Sequence, residues 1–471
     1  MRETHTMNRP ILLSVEAAKA LPHQEVRSLF ERHLNPGQLH FLKLLGFDEI
    51  IVKRAEGMYY YDQNDRAILD FFGGFGSVAL GHNHPRILAA RKQFQDEKRH
   101  EICIAFMSQY ATALAHNLAS IAPGDLETVF LTNCGSVANE AALKLAERCA
   151  GPKRPTIAYA TNSFHGKTRA ALSVTDSEFY QNGFTLLPNR RRVRFGDISS
   201  LEEAFKSDSS IGTFIVETVQ GGAGIVLASQ AYWKGVRELC DRYGVIWLAD
   251  EVQCGVGRTG RFFAFEHYDV VPDIVTLAKS LGGGKTAMGA YIARRDIHMK
   301  AYGPSKVALI HGPATFSGMG EGCITAIEAL NVLYEEDLIA NSAAMGTRLL
   351  AGLQRLQQQH PRLIKEVRGL GLMVGIEFAD LSDTMPFGVR QMVSLLDDKL
   401  KGSLCGFIGT LMLRDHNTLV AFTEYNRNVI RLEPPLVAGP QHIDAFLEAF
   451  GSMLELGVAK IISKYAKGAI G

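Results

Sequence analysis

A two-lobed α/β fold is predicted, with a mostly parallel sheet in a large lobe and a smaller α+β lobe packed against it. Three observations predict it. Between about residues 125 and 320 the short apolar runs "TVFLT", "TIAYA", "TFIVE", "VIWLA" and "IVTLA" alternate with amphipathic segments such as "NEAALKLAERCA" and "YWKGVRELCDRYG". That alternation is the pattern of parallel strands covered on both faces by helices. After about residue 330 the pattern changes: "SAAMGTRLLAGLQRLQQQ" reads as a long helix, "LMVGIEFAD" as a strand, and a final helix follows "LEPPLVAG". At 471 residues the chain can bury more than one core. With no repeat, low-complexity tract or flexible linker between them, the lobes are expected to pack together.

Ahead of the sheet, residues 1 to about 55 read as a polar, helical lead-in carrying the helix-ending "HLNPG", His33 to Gly37. "MYYYDQNDRAILDFFGG" then predicts a hairpin, an aromatic strand and an apolar strand joined by a Gln-Asn-Asp turn. The expected organisation is an N-terminal segment 1–75 packing with the small domain, a large domain 76–330 and a C-terminal small domain 331–471.

Fifty basic against 49 acidic side chains leave a formal charge of +1, so nothing draws the whole chain toward nucleic acid or an anionic membrane. The one dense basic run, "NRRRVR" at Asn189–Arg194, reads as a solvated loop. Seven cysteines, an odd number and all far apart, form neither a disulfide framework nor a C-x-x-C pair, which fits a reducing compartment. No stretch approaches the roughly 20 apolar residues that span a bilayer, and the start lacks a secretory signal's apolar core. The expectation is a soluble cytoplasmic protein.

Ligands of open parallel sheets bind at the carboxyl ends of strands, and here the polar residues fall at those ends. "VIWLA" runs into Asp250-Glu251, "IVTLA" into Lys279, "TFIV" into Glu217 and "TVFLT" into "NCGSVANE". The last joins a strand to a helix through Asn133-Cys134-Gly135-Ser136, where free amides, a glycine and a hydroxyl make an anion site, though strand-glycine-serine-helix is also ordinary capping. A strand-end aspartate is a helix cap, a structural ion pair or the holder of a positive charge. A lysine is most often a solvated surface charge. Together, though, a phosphate cradle, a buried carboxylate and a strand-end lysine match one cofactor. Pyridoxal phosphate needs amides for its phosphate, an acid for its ring nitrogen and a lysine for a Schiff base.

With those residues in view the chain resembles the class III, fold type I, pyridoxal-phosphate aminotransferases over nearly its whole length. The signature is "WLADEVQCGVGRTGRFFAFEHYDVVPDIVTLAKSLGGG", Trp247–Gly284, supported by "GHNHP", "NCGSVANEAALKLA", "FHGKTRAALS", "VETVQGGAG", "ATFSG" and "VIRLEPPL". "HLNPG" and "IRLEPPL" look most like the putrescine and ω-amine members. The resemblance implies a seven-stranded sheet in the large, cofactor-binding domain. It implies that Lys279 carries the cofactor, Asp250 pairs with its ring nitrogen, Val252 and Phe164 sandwich the ring, Gln253 lies near its phenolic oxygen, and His165 joins the cofactor site. Gly135 and Ser136 would hold the phosphate, with Thr315 reaching it from the other subunit of a homodimer. Glu217 would stand behind Asp250, and Arg431 would grip a substrate carboxylate bidentately. The implied reaction is ping-pong transfer of an amino group from a primary amine or ω-amino compound to a 2-oxo acid, 2-oxoglutarate or pyruvate. A biosynthetic transaminase acting on a larger aldehyde or ketone, a racemase and an aminomutase would carry the same Lys279 and Asp250.

The sequence departs from the family at two positions. Ser136 replaces the usual threonine and keeps the hydroxyl. Gly222 stands where many members have a glutamate masking the arginine, so the donor side is expected to be roomier or differently selected. The segment Gly402–Asn426 is longer and more apolar than expected, and is read as either an entrance element or an elaboration of the small lobe. Other motifs are decoys. "TLAKSLGGGKT" ends like a nucleotide phosphate loop, but the first glycine that G-x-x-x-x-G-K-[ST] requires is Lys279, so an NTPase is disfavoured and Lys285 is a bystander. His82 and His84 in "GHNHP" lack ligand partners at metal spacing. "GVGRTG" does not open a helix after a strand, so its glycines read as a turn.

Overall fold

The computed structural model of the protein describes residues 12–384 and 402–469, apart from 103, 312, 313 and 424. Three short strands come first, β1 (Arg54–Glu56), β2 (Tyr59–Tyr61) and β3 (Ala67–Asp70), after helices at Val15–Lys19, His23–His33 and Pro36–Leu45. β2 and β3 form the expected antiparallel hairpin, with Tyr60 opposite Ile68.

A seven-stranded sheet follows, built from β4 (Leu126–Thr132), β5 (Thr156–Ala160), β6 (Arg190–Val193), β7 (Ile211–Glu217), β8 (Ile246–Asp250), β9 (Ile274–Leu277) and β10 (Gly289–Arg294). Its order is β4-β10-β9-β8-β7-β5-β6. The strands from β9 to β6 are mutually parallel, and only β10 runs antiparallel to its neighbours. Every residue of β5, β7, β8 and β9 is buried, which is why these strands read as continuous apolar runs rather than alternating ones. On one face Trp233 of the helix Gln230–Tyr243 stacks on Trp247 of β8, ring centroids 5.9 Å apart.

The basic run "NRRRVR" is not a loop. Its Arg190–Val193 forms β6, which pairs with β5 alone and so closes the sheet edge. An edge strand needs apolar residues on one side only, and exposed Arg191 and Arg192 block further strand addition.

The C-terminal part contributes β11 (Ile364–Leu370), β12 (Met373–Phe378), β13 (Thr418–Leu419), β14 (Ala421–Phe422) and β15 (Val429–Leu432). β11-β12-β15-β14 make an antiparallel sheet, whereas β13 crosses to pair with β3 of the N-terminal hairpin. Phe71, just past β3, stacks on Phe446 at 4.3 Å. The segment Gly402–Asn426 begins as the helix Ser403–His416, with Leu404, Ile408, Leu411 and Met412 buried. Most of its apolar character is therefore core of the C-terminal part. Where one final helix is expected there are two, Pro440–Glu455 and Gly457–Ala469. Gly457 separates them because its φ of +69° is a left-handed conformation that ends a helix.

Candidate active site

The carboxyl ends of the parallel strands open onto one cavity of about 530 Å³. Parallel register sets Glu217 of β7 beside Asp250 of β8, and Asp250 beside Thr276 of β9. Successive residues of a strand face opposite ways. Asp250 accordingly faces the cavity while Glu251 turns below the sheet, accepting hydrogen bonds from the Ala264 and Phe265 amides and the Thr218 hydroxyl.

Asp250 is buried at 4% exposure, so its carboxylate needs protein donors. Oδ1 accepts from the Val252 amide at 3.0 Å, and Oδ2 from Asn139 Nδ2 and His165 Nδ1, both at 2.7 Å. Asn139 is fixed in turn: its Oδ1 accepts from the Thr276 hydroxyl at 2.7 Å and its Nδ2 also reaches the His165 carbonyl at 2.8 Å. Neighbouring Glu217 accepts from the Phe164 amide at 3.0 Å. Burial first, and the Asp250 charge second, push the Glu217 carboxyl well above the ordinary range, favouring its neutral form.

At the other end of the cavity β4 leads into the helix Gly135–Ala150 through Cys134, whose side chain caps nothing, and no acidic residue stands in the first turn. The amides there are left for a ligand. Gly135 must be glycine, since a Cβ would lie 2.6 Å from Val252 Cγ1. Lys279 opens a 3-10 turn directly after β9, with φ +46°. The lysine itself thus takes the left-handed backbone that a phosphate loop would assign to glycine, a strain of the kind found where a side chain must be aimed. Gly283 and Gly284, also at positive φ, then turn the chain away as expected. Lys279 keeps some exposure, yet burial pushes its amine down to about 8, partly offset by the Glu433 carboxylate. Lys285 lines the cavity rim, and its Nζ donates to Asn83 Oδ1.

Nine of the expected residues line this cavity: Gly135, Ser136, Phe164, His165, Glu217, Asp250, Val252, Gln253 and Lys279. Gln253 turns its Nε2 to Glu433 Oε2 at 3.0 Å and to the Phe75 carbonyl. Thr315 lies apart and exposed. Arg431 is buried on β15 outside the lining, its Nη2 donating to the Phe422 carbonyl and its guanidinium 4.7 Å from the centre of the Phe75 ring. Gly222 leaves no open room, since a Cβ there would lie 2.9 Å from Tyr425, whose hydroxyl donates to the Ser163 carbonyl. The end of the Gly402–Asn426 segment therefore reaches the site although its helix does not.

The decoy motifs have structural duties. His82 pairs with Asp70 at 2.8 Å and His84 with Glu336 at 3.2 Å, and no metal-like cluster occurs among the described residues. "GVGRTG" is a turn that carries Arg258, fully buried and donating to the carbonyls of Leu372 and Pro434.

Sequence reading missed Asn139 as the residue that orients Asp250. A signal was available, because Asn139 sits four residues before Leu143 on the buried stripe of its helix, an unusual position for an amide. It also missed Glu433, although two residues along from Arg431 points to the same face. Tyr425 lies in the segment read as an entrance element or an elaboration of the small lobe, but nothing in the sequence singled out the residue itself.

A free helix start, a held carboxylate and a lysine around one cavity define a site for pyridoxal phosphate. The fit is supported by the uncapped amides and by His165 Nε2, a buried atom with no hydrogen-bond partner. A family model described as "Aminotransferase class-III" matches residues 46–454, and the chain belongs to that family of pyridoxal-phosphate enzymes. It is 32% identical to the Aminotransferase PigE of Serratia sp. (strain ATCC 39006), over 90% of this chain and 53% of that one, so it spans about half of that relative's length. Among solved structures it resembles a transaminase from the marine bacterium Virgibacillus, with TM-score 0.81 and 25% identity, covering 91% of this chain and 98% of that one. It also resembles the Toxoplasma gondii ornithine aminotransferase that shows partial occupancy of PLP, with TM-score 0.75 and 28% identity, covering 86% and 91%. Among the described residues no helix is long and apolar enough to cross a membrane.

Two outcomes follow from this geometry. Replacing Asn139 by alanine removes a donor to a buried carboxylate and should weaken cofactor affinity about tenfold, on the order of 1–3 kcal/mol, by equilibrium titration of the cofactor-free protein. Only the neutral amine is a nucleophile. Because the Lys279 amine is pushed down to about 8, attachment of added pyridoxal phosphate should accelerate as pH rises through about 8 and level off above it. An unshifted lysine would go on accelerating toward pH ~10.4.

Proposed function

We propose that this enzyme transfers an amino group from a primary amine or ω-amino compound to a 2-oxo acid, 2-oxoglutarate or pyruvate, by a ping-pong mechanism. The observation that carries the reading is the convergence of Lys279, the anchored Asp250 and the free amides of Gly135 and Ser136 on one cavity. The ornithine aminotransferases and omega transaminase among its structural relatives support a donor whose amine lies at a chain end.

Bound pyridoxal phosphate supplies a carbonyl carbon to which amines attach and a ring that draws electrons from the attached group. Gly135 and Ser136 would hold the phosphate through helix-start amides and a hydroxyl. Asp250, oriented by Asn139 and His165, would hold positive charge at the ring nitrogen, and Glu217, pushed toward its neutral form, would stand beside it. Phe164 and Val252 would pack against the ring, and Gln253 would lie near its phenolic oxygen. Lys279 would carry the cofactor through its amine, and that amine, pushed down to about 8 in the free protein, is the group suited to take and return a proton at the substrate carbon. Arg431 holds the carboxylate of the oxo acid by its guanidinium fork.

In this reading the working unit is a homodimer, with Thr315 of the partner subunit completing the phosphate site. Phe106, Met107, Leu309, Ile310 and Phe316 support it: large apolar side chains that are exposed in the single chain, Met107 at 99% and Leu309 at 90%, and Phe316 adjoins Thr315. The free thiols of Cys134, Cys149, Cys240, Cys254, Cys323 and Cys405 are compatible with the reducing cytoplasm.

The test is oxo-product formation from a primary amine, measured with and without added 2-oxo acid. Stoichiometric product that depends on the oxo acid is expected, and conversion of the amine with no oxo-product at all would point to a racemase or aminomutase. Lys279→Ala should lower the rate at least ~10²–10⁴-fold, the usual size of a lost general base. Lys285→Ala should leave most of it.

A further inference from the structure

Glu433 is a buried charge that acts on the reacting lysine and has no role assigned above. It follows β15, and strand alternation brings it onto the same face as Arg431. Its carboxylate is fully buried, with Oε2 3.5 Å from Arg431 Nε and accepting from Gln253 Nε2 at 3.0 Å. The site is built around it: Gly76, at φ +79°, has no side chain, and a Cβ there would come within 3.1 Å of Glu433 Oε1. The other buried cation nearby, Arg258, has both Nη atoms on backbone carbonyls and, like Arg431, an Nε with no hydrogen-bond partner. Of the two, it is Arg431 that stands within ion-pair distance of Glu433. Arg431 Nε and Glu433 Oε1 are both buried without a hydrogen-bond partner, so the two charges neutralise each other without satisfying each other. A pair built only to hold the fold would be expected to close those bonds.

We infer that Glu433 is the counter-ion that sets donor class: while it faces Arg431 the site favours amines whose far end carries no carboxylate, and a carboxylate-bearing substrate must take Arg431 from it. Two carboxylates cannot share one guanidinium without repulsion, so the incoming one competes with a tethered rival held at fixed distance. Arg431 keeps unfilled N–H donors for that exchange, and Gln253 remains to hold the displaced Glu433. The inference rests on the proposed amine donor and on Arg431 as the carboxylate grip.

Glu433→Gln keeps the shape and removes the charge. Two readouts on the holoenzyme test it. The first is the calorimetric Kd of glutarate, a dicarboxylate with no reacting group. The second is the ratio of half-reaction rates for 5-aminopentanoate and 1-aminopentane, followed by the cofactor absorbance without acceptor. Glu433→Gln should bind glutarate about tenfold more tightly and shift the ratio about tenfold toward 5-aminopentanoate. Unchanged glutarate binding with both amines slowed equally would overturn the inference and leave the pair structural. Should the variant not retain cofactor, the wild-type enzyme decides: faster reaction with 1-aminopentane supports the inference, and faster reaction with 5-aminopentanoate overturns it. A wild-type enzyme that reacts with neither amine contradicts the proposed donor instead, while glutarate binding still tests Glu433.

Discussion

A carboxylate held at the end of a buried strand is the constraint on which the rest of this structure depends. Asp250 has almost no contact with water, so its charge is sustained by the Val252 amide, Asn139 and His165. Each of those donors comes from a different stretch of chain, and the two side chains are fixed by further bonds: Asn139 by Thr276 and the His165 carbonyl, His165 through its amide to Thr175. The parallel sheet is what makes this possible, since it delivers Glu217, Asp250 and Thr276 side by side at one edge. A buried polar network of this kind is stable only when its members are satisfied, which ties the fold of the large sheet to the chemistry of its rim.

The second feature is the seam between the sheet and the C-terminal part. Arg258 leaves the signature segment to bind carbonyls at Leu372 and Pro434, Gln253 reaches Glu433, and Tyr425 closes over Gly222. The cavity floor and lining come from residues between Ser77 and Met288, and the C-terminal part forms a wall behind that lining, meeting it where Gln253 donates to Glu433; β13 stitches the N-terminal hairpin to the same wall. Arg431 and Glu433 lie on that wall, whereas Asp250 and Lys279 lie on the floor.

Much of the floor was legible in the sequence because its signals are local. Fully buried parallel strands write unbroken apolar runs, and the polar residues that end them are conspicuous, so Glu217, Asp250 and Lys279 could be placed before any coordinates. The edge strand β6 was hidden because it is paired on one side only and carries arginines outward. The left-handed backbone of Lys279 was illegible too, since lysine gives no propensity signal for it. The wall was harder still. Tyr425 and Glu433 act through contacts with residues 170 or more positions away in the chain, and only the fold reveals which face each will meet. Asn139 falls between these cases, locally visible as an amide on an apolar stripe but with a partner 111 residues distant.

The account turns on which lysine carries the cofactor. Borohydride reduction of the holoenzyme, followed by digestion and mass spectrometry of the peptides, tests that directly. The account predicts a single pyridoxyl-phosphate adduct on Lys279. An adduct on Lys285, or none on the segment from Thr276 to Thr286, would contradict it.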